Sequence, residues 1–286
     1  TNATWLRVRV NRTDPFDLGT SIPIVVLAAD SAGNAISTSW NFFLMMFSPG
    51  AVIGVGVDGS ISIGDLDGDS DLDLVTTGLG ATGGFRLDRY LNNGTGTFTA
   101  TAFGTGVRYG SSSLGDLDGD GDLDLIVTGF DGGTRLDRYI NDGAGNFTGS
   151  SFGVGAYYSS TSLGDVDEDG DLDLVVSGWG GFNQRLDQYR NDCNGSFTGF
   201  SFGTGVQLGT ASLGDIDGDG DLDLCVTGLD QSSVHRLDRY LNDGSGSYGQ
   251  LAFGTGVGNS GFVSIGDIDG DGDLDLIVYG SSAVGT

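Results

Sequence analysis

Nine residues recur five times in this chain at intervals of 49 to 52 positions, and every copy sets an aspartate at each second place. The copies are Asp65–Asp73 (DLDGDSDLD), Asp116–Asp124 (DLDGDGDLD), Asp165–Asp173 (DVDEDGDLD), Asp215–Asp223 (DIDGDGDLD) and Asp267–Asp275 (DIDGDGDLD). Five carboxylates in nine residues repel one another strongly unless a cation sits among them. An all-oxygen cage of high negative charge suits a hard divalent ion, Ca²⁺ above all. The candidate ligands are Asp65, Asp67, Asp69, Asp71 and Asp73; Asp116, Asp118, Asp120, Asp122 and Asp124; Asp165, Asp167, Asp169, Asp171 and Asp173; Asp215, Asp217, Asp219, Asp221 and Asp223; and Asp267, Asp269, Asp271, Asp273 and Asp275. One Ca²⁺ is expected per loop.

The charge distribution supports ligation rather than mere solubility. The net charge is −27, and Glu168 is the one glutamate of the chain. A surface made acidic for solubility would spread Asp and Glu widely, whereas here the acid is gathered at repeated positions. Five bound divalent ions would bring the formal charge only to −17 from −27. A residue so acidic argues against nucleic acid or an anionic membrane as partner. All 12 basic residues are arginine. No run approaches 18 apolar residues, and the patch Phe42–Phe47 (FFLMMF) is too short to span a bilayer, so no membrane insertion is expected in this segment. The chain starts without an initiator Met or a signal peptide and reads as a piece of a longer precursor.

From about residue 49 onward the repeat dominates. In the second copy, Ser111–Gly115 is a short strand leading into the acidic loop, and Leu123–Thr128 (LDLIVT) is a β-branched strand. Arg135–Ile140 is a third strand, Asn141–Gly145 a Gly-rich turn, and Phe147–Phe152 opens a fourth that ends in Phe-Gly-x-Gly. No segment has the 3.6-residue period of a helix. Four short strands per 50 residues, repeated, predict the blades of an all-β propeller. Ile53–Gly56 (IGVG) fits the slot that closes a blade, and Val263–Tyr279 supplies the first two strands of the fifth copy. An unfinished blade leaves an edge open to another strand.

Residues 1–48 read differently, as strands at Trp5–Val10, Ile22–Ala29 and Ile36–Leu44 around a turn at Asp30–Asn34. The sequence is thus divided into a partial sandwich over 1–48 and a propeller over 49–286. The stretch VVLAADSAGNAISTSWNF resembles the closing strands of immunoglobulin-like surface modules.

The loop is not an EF-hand. That motif needs a bidentate Glu at position 12 between two helices, and position 12 of the second copy is Val127, inside a strand. What residues 50–280 do resemble is the FG-GAP/VCBS repeat of integrin-α-like propellers. The likeness rests on D-x-D-G-D-G-x-x-D-L followed by an apolar strand, on the Asn-Asp-Gly-x-Gly-x-Phe turn, and on Phe103-Gly, Phe152-Gly, Phe202-Gly and Phe253-Gly. The resemblance implies one Ca²⁺ per blade, held by carboxylates at positions 1, 3, 5 and 9 and the carbonyl at position 7. Two loops depart from it: Ser70 replaces Gly at position 6 of the first, and Glu168 replaces Gly at position 4 of the third. The first is expected to be strained and the third to bind at least as well.

Such ions stabilise hairpins without any catalysis. Extracellular Ca²⁺ modules bind at roughly 10⁻⁴–10⁻³ M, and a tenfold excess over Kd adds about 1.4 kcal/mol per loop. Over five loops that approaches the whole stability of a domain.

The strand Arg-Leu-Asp-Arg/Gln-Tyr recurs at Arg86–Tyr90, Arg135–Tyr139, Arg185–Tyr189 and Arg236–Tyr240. It admits two readings, a ring of glycan-binding Tyr/Arg clusters or an inter-blade ladder of Arg–Asp pairs and packed tyrosines. Enzymatic chemistry has little footing: His235 is the lone histidine and has no nucleophile beside it in the sequence. There is no G-x-S-x-G, HExxH or P-loop motif. Sequons at Asn2, Asn11, Asn93, Asn146 and Asn194 offer glycosylation candidates, three of them in one turn of successive repeats. Cys193 replaces a turn Gly and Cys225 replaces Ile or Val of a buried strand, two settings that need not meet in a disulfide.

The expectation is a non-enzymatic, extracellular or cell-surface structural or adhesion protein. Its partners would be copies of itself or other surface proteins, completed into a cell-surface filament by strand exchange between chains, or glycans. The alternatives are a lectin-like binding module and an ancillary domain of a polysaccharide-degrading enzyme.

Overall fold

Runs of β-branched and aromatic residues punctuated by glycine offer no helical face to bury, and among the described residues every element of the computed structural model is a strand. Residues 21–29, 35–43, 57–80, 82–254 and 256–282 are described. The chain divides into two units, Thr1–Ile53 and Gly54–Thr286.

In the first unit, β1 (Ser21–Ala29) pairs antiparallel with β2 (Ala35–Phe43), with Ala29 opposite Ala35 and Ser21 opposite Phe43. The expected strand Trp5–Val10, the turn Asp30–Asn34, and Asn2 and Asn11 lie outside the described residues. A single hairpin does not establish the immunoglobulin-like reading.

The second unit is a propeller of antiparallel sheets, each a simple meander. Blade 1 comprises β3 (Val57–Gly64), β4 (Asp73–Gly80), β5 (Phe85–Asn92) and β6 (Phe98–Gly104). Blade 2 comprises β7 (Arg108–Gly115), β8 (Asp124–Phe130), β9 (Thr134–Asn141) and β10 (Phe147–Ser151). Blade 3 comprises β11 (Tyr157–Gly164), β12 (Asp173–Trp179), β13 (Gln184–Asn191) and β14 (Phe197–Val206). Blade 4 comprises β15 (Ala211–Gly214), β16 (Asp223–Leu229), β17 (His235–Asn242) and β18 (Tyr248–Ala252). The last sheet has two described strands, β19 (Val257–Gly266) and β20 (Asp275–Ser282). The four expected strands of the repeat are all present, the first of them longer than the sequence suggested, because a register shift between Arg108 and Ser111 carries the pairing past the hydroxyl-rich run. The closing slot Ile53–Gly56 lies outside the described residues.

The core lies between blades rather than within them. Leu66, Val75 and Leu87 of blade 1 pack on Leu125, Val127 and Tyr139 of blade 2, and Leu117, Ile126 and Leu136 of blade 2 on Leu174, Val176 and Tyr189 of blade 3. The second strands of blades 2 to 4 have a neighbouring blade on both sides, which is why Leu125, Ile126 and Val127 are apolar in succession rather than alternating.

Phe-Gly-x-Gly acquires a physical meaning here. Phe103, Phe152 and Phe202 meet Tyr139, Tyr189 and Tyr240 of the next blade edge-on at 5.5, 5.6 and 5.7 Å. A Cβ on the following Gly104, Gly153 or Gly203 would stand 2.4–2.6 Å from that tyrosine ring. The second glycine, Gly106 or Gly155, passes so near the Arg86 or Arg135 backbone that a Cβ would lie 1.9 or 2.1 Å from it. Both glycines are required by close approach.

Candidate metal centres

Each acidic loop joins the first strand of a blade to the second, and backbone N–H groups set the orientation of its carboxylates. At position 1, Asp116 accepts from Gly119 N–H at 2.8 Å and from Gly121 N–H at 3.0 Å, folding the loop around itself. Asp65, Asp215 and Asp267 do the same, and Asp165 accepts from Asp169 and Gly170. At position 9, Asp73, Asp124, Asp173 and Asp223 are fully buried. Their Oδ2 atoms accept from the position-2 N–H at 2.8–3.1 Å. Their Oδ1 atoms accept from the N–H of Asn92, Asn141, Asn191 and Asn242 at 2.7–2.8 Å.

The structure brings positions 1, 3 and 9 together in four loops. Oxygens of Asp65, Asp67 and Asp73, of Asp116, Asp118 and Asp124, of Asp165, Asp167 and Asp173, and of Asp215, Asp217 and Asp223 lie within 4.8 Å of one another. In the fifth loop the cluster is instead Asp267, Asp269 and Asp271. In all five loops the position-5 residue, Asp69, Asp120, Asp169, Asp219 or Asp271, accepts from the position-7 N–H and so braces the loop. Position 7 points elsewhere: Asp71, Asp122 and Asp221 abut the turn glycines Gly94, Gly143 and Gly244 of their own blades, and Asp171 abuts Cys193. Those side chains lie outside the cluster. Asp273 is exposed and Asp275 half-buried.

The donor set fits a divalent cation. Oδ1 of Asp67, Asp118 and Asp167 is buried yet has no hydrogen-bond partner, an orphan that a cation would satisfy. Burial, reinforced by neighbouring aspartates, raises the carboxyl groups of Asp67, Asp118, Asp167 and Asp217 above their ordinary range. In Asp269 the charge of Asp271 is the larger cause, with burial second. Burial pushes Asp124 and Asp173 up to about 6 against the opposing pull of their backbone donors. Groups held so reluctantly ionised, with oxygens convergent, are what an oxygen-seeking ion relieves. The ordered loops therefore present five aspartate clusters able to hold metal ions.

The two departures from the repeat leave their marks. Ser70 adopts a left-handed φ of 73° where the sister loops use glycine, the strain expected of the first loop. Glu168, at φ 58°, stands beside Asp221 of the next loop, and burial followed by the proximity of Glu168 raises the Asp221 carboxyl.

The recurring Arg/Tyr strand buries its aspartates and tyrosines and leaves its first arginine partly exposed. Arg86 grips Asp88 through two hydrogen bonds of 2.6 and 2.9 Å, and Arg135–Asp137, Arg185–Asp187 and Arg236–Asp238 repeat the pair. Tyr90, Tyr139, Tyr189 and Tyr240 are each at most 4% exposed. The hydroxyls of the last three accept from the N–H of Thr105, Val154 and Thr204 in the preceding blade. The inter-blade ladder is the reading this geometry supports, and the glycan-cluster reading loses its exposed tyrosines.

One asparagine per blade escaped the sequence reading. Nδ2 of Asn141 donates to Leu123 O of its own loop at 3.1 Å and to Leu66 O of the preceding loop at 2.9 Å. Asn191 bridges Leu172 O and Leu117 O, and Asn242 bridges Leu222 O and Val166 O. Each clamp ties one acidic loop to the next. Its signal was present, since an Asn follows the repeat Tyr by two positions in all four copies. The sequon residues Asn93, Asn146 and Asn194 are exposed in the turns, and Asn146 donates to Asp142 while accepting from Arg89 of blade 1. Both cysteines are free, Cys193 exposed and Cys225 buried. His235 opens β17 with its Nδ1 buried and unpartnered.

Comparison with known proteins places this geometry. The sequence model described as the FG-GAP-like repeat matches residues 65–127, 116–176 and 215–278, each span beginning on the first aspartate of a loop. No curated protein matches the chain. Among solved structures, one from a study of the GH130 family of mannoside phosphorylases, glycoside hydrolases that target β-1,2 mannosidic linkages in Candida mannan, aligns with a TM-score of 0.41. Its identity is 11%, over 79% of this chain and 84% of its own.

Proposed function

This chain belongs to the FG-GAP-like repeat family, and from that premise we propose that it is a non-enzymatic, Ca²⁺-stabilised structural or adhesion protein of the extracellular surface. One observation carries the proposal: convergent carboxylate clusters recur in all five acidic loops, at the same three positions in four of them, with a buried, unpartnered oxygen in the first three. A catalytic site is used once, whereas a stabilising ion is used wherever the hairpin recurs. Asp65, Asp67 and Asp73 and their counterparts would hold the ion, which supplies positive charge and fixes the loop. The chain's own residues do the rest. Backbone N–H groups orient positions 1 and 9, and the asparagine clamp passes the loop's rigidity to the neighbouring blade. No helix among the described residues is long and apolar enough to cross a membrane.

Melting of the chelated protein in stepped Ca²⁺, with Mg²⁺ as control, tests the reading. A rise in Tm saturating in the millimolar range, larger for Ca²⁺ than for Mg²⁺, is expected. Equal melting with and without Ca²⁺ would overturn it.

A further inference from the structure

The third strands of blades 1, 2 and 4 read Arg-Leu-Asp-Arg-Tyr-Leu/Ile, whereas that of blade 3 reads Arg-Leu-Asp-Gln-Tyr-Arg. Blade 3 has moved its second arginine along the strand, from the place of Arg89, Arg138 and Arg239 to that of Leu91, Ile140 and Leu241. Residues two apart share a face of a strand, so the guanidinium keeps its side of the sheet and shifts toward the acidic loop. The link to the following blade survives the move. Arg89 donates to Asn146 Oδ1 in the turn of blade 2 at 3.0 Å, and Arg190 donates to Ser245 O in the turn of blade 4 at 2.6 Å.

What the move adds is a second contact. Arg190 Nη1 lies 3.3 Å from Oδ2 of Asp167, position 3 of the third loop, with the two side chains 33% and 15% exposed. Oδ1 of the same Asp167 is the buried, unpartnered oxygen of that cluster. Among the described residues no other arginine pairs with an acidic-loop carboxylate, so Asp67, Asp118 and Asp217 lack such a neighbour. The guanidinium is also confined. It stands 5.7 Å from the Phe200 ring, and Gly246 passes so near that a Cβ there would lie 2.9 Å from its Nη2.

We propose that Arg190 is a resident counter-cation of the third loop, a positioning residue that shares Asp167 with the bound ion and weakens that loop's hold on it. This rests on the Ca²⁺ reading above and sets one loop apart from its sisters. An ion in the cluster and a guanidinium on the same carboxylate repel each other. With the ion gone the guanidinium stays, so the empty third loop is partly neutralised while the first, second and fourth have no arginine at their position 3. The third loop therefore gains less from the ion than its five aspartates and Glu168 would otherwise give it.

Restoring the sister sequence separates this role from packing. Gln188→Arg/Arg190→Leu rebuilds Arg-Leu-Asp-Arg-Tyr-Leu, returns a guanidinium to its usual place and removes it from Asp167. In calorimetric Ca²⁺ titration of the 286-residue chain, one site should tighten by roughly three- to tenfold and the others stay as they were. Arg190→Lys, which keeps the charge, should leave the affinities near those of the unaltered chain. Asp165→Asn, which disables the third loop, should abolish the difference between the two sequences. Circular dichroism reports whether each variant folds, and should the double variant unfold, Arg190→Gln takes its place with the same expectation. A folded variant with unchanged or weaker sites would overturn the proposal, as would a tightening that survives Asp165→Asn. A residue that only packs would lower Tm with and without Ca²⁺ alike and tighten no site. Absence of any Ca²⁺ binding by the unaltered chain would sink the Ca²⁺ reading and this inference together, whereas binding indifferent to residue 190 sinks the inference alone.

Discussion

The fourth and fifth loops have the same nine residues, DIDGDGDLD, and different structures. In the fourth, Asp223 is fully buried, accepts from Ile216 N–H and Asn242 N–H, and joins Asp215 and Asp217 in the cluster. In the fifth, Asp275 accepts from Ile268 N–H alone among the described residues, and the cluster shifts to Asp267, Asp269 and Asp271. Ile268 is 60% exposed, whereas Ile216 is packed against the last sheet. The difference, among the described residues, is the third strand. In blade 4, β17 ends at Asn242, whose N–H locks the position-9 carboxylate from behind. A loop of given sequence is therefore only half a site, and the blade completes it.

The largest expected effect follows from emptying all the loops. Chelation should cost several kcal/mol across the propeller, at about 1.4 kcal/mol per loop for a tenfold excess of ion over Kd. In calorimetric titration the fifth loop should fill last. If Asp267→Ala removes the tightest sites and Asp215→Ala the weakest, the comparison fails.

Next come the position-9 residues themselves. Asp223→Ala leaves two buried N–H groups unpaired and should destabilise by about 2–4 kcal/mol, read from urea unfolding in Ca²⁺. Asp275→Ala, in the same nine-residue context, should cost less than about 1 kcal/mol. Equal losses would mean that local sequence alone sets the site.

The clamp sharpens the contrast further. Asn191→Ala unpairs the carbonyls of Leu117 and Leu172 and should cost about 1–2 kcal/mol. Asn92→Ala, whose amide donates only to Leu72 O and whose Oδ1 accepts from Gly96 N–H in an exposed turn, should cost about 0.5 kcal/mol or less.

The smallest effect is a pH dependence of the ion-free protein. Asp124 and Asp173 sit at about 6 when folded, above the ordinary 3.8, so folding takes up protons between these values. Ion-free stability should therefore rise as pH falls from about 7.5 toward 5, by roughly 1 kcal/mol after allowing for solvent screening, or about 2–4 °C in Tm. With saturating Ca²⁺ the trend should reverse, since the ion requires the ionised form. An ion-free Tm that falls on acidification through pH 6 would contradict the buried-carboxylate account.

The sequence by itself determined the period, the four-strand unit, the all-β class and the places where acid gathers. These are local properties: strand propensity, glycine spacing and charge density can be read along the chain, and five in-phase copies average out their ambiguity. It left the Arg-Leu-Asp-Arg-Tyr strand between two readings, because alternation says which residues share a face and not whether that face meets solvent or another blade. Tertiary structure decided that, burying Tyr139 against Phe103 and turning its hydroxyl to Thr105. It also decided which aspartates converge. Position 7 is drawn to the turn, and position 9 is fixed by an asparagine N–H from 17 to 19 residues downstream. Both depend on contacts distant in sequence, and a nine-residue motif contains no information about what the rest of the blade brings to it.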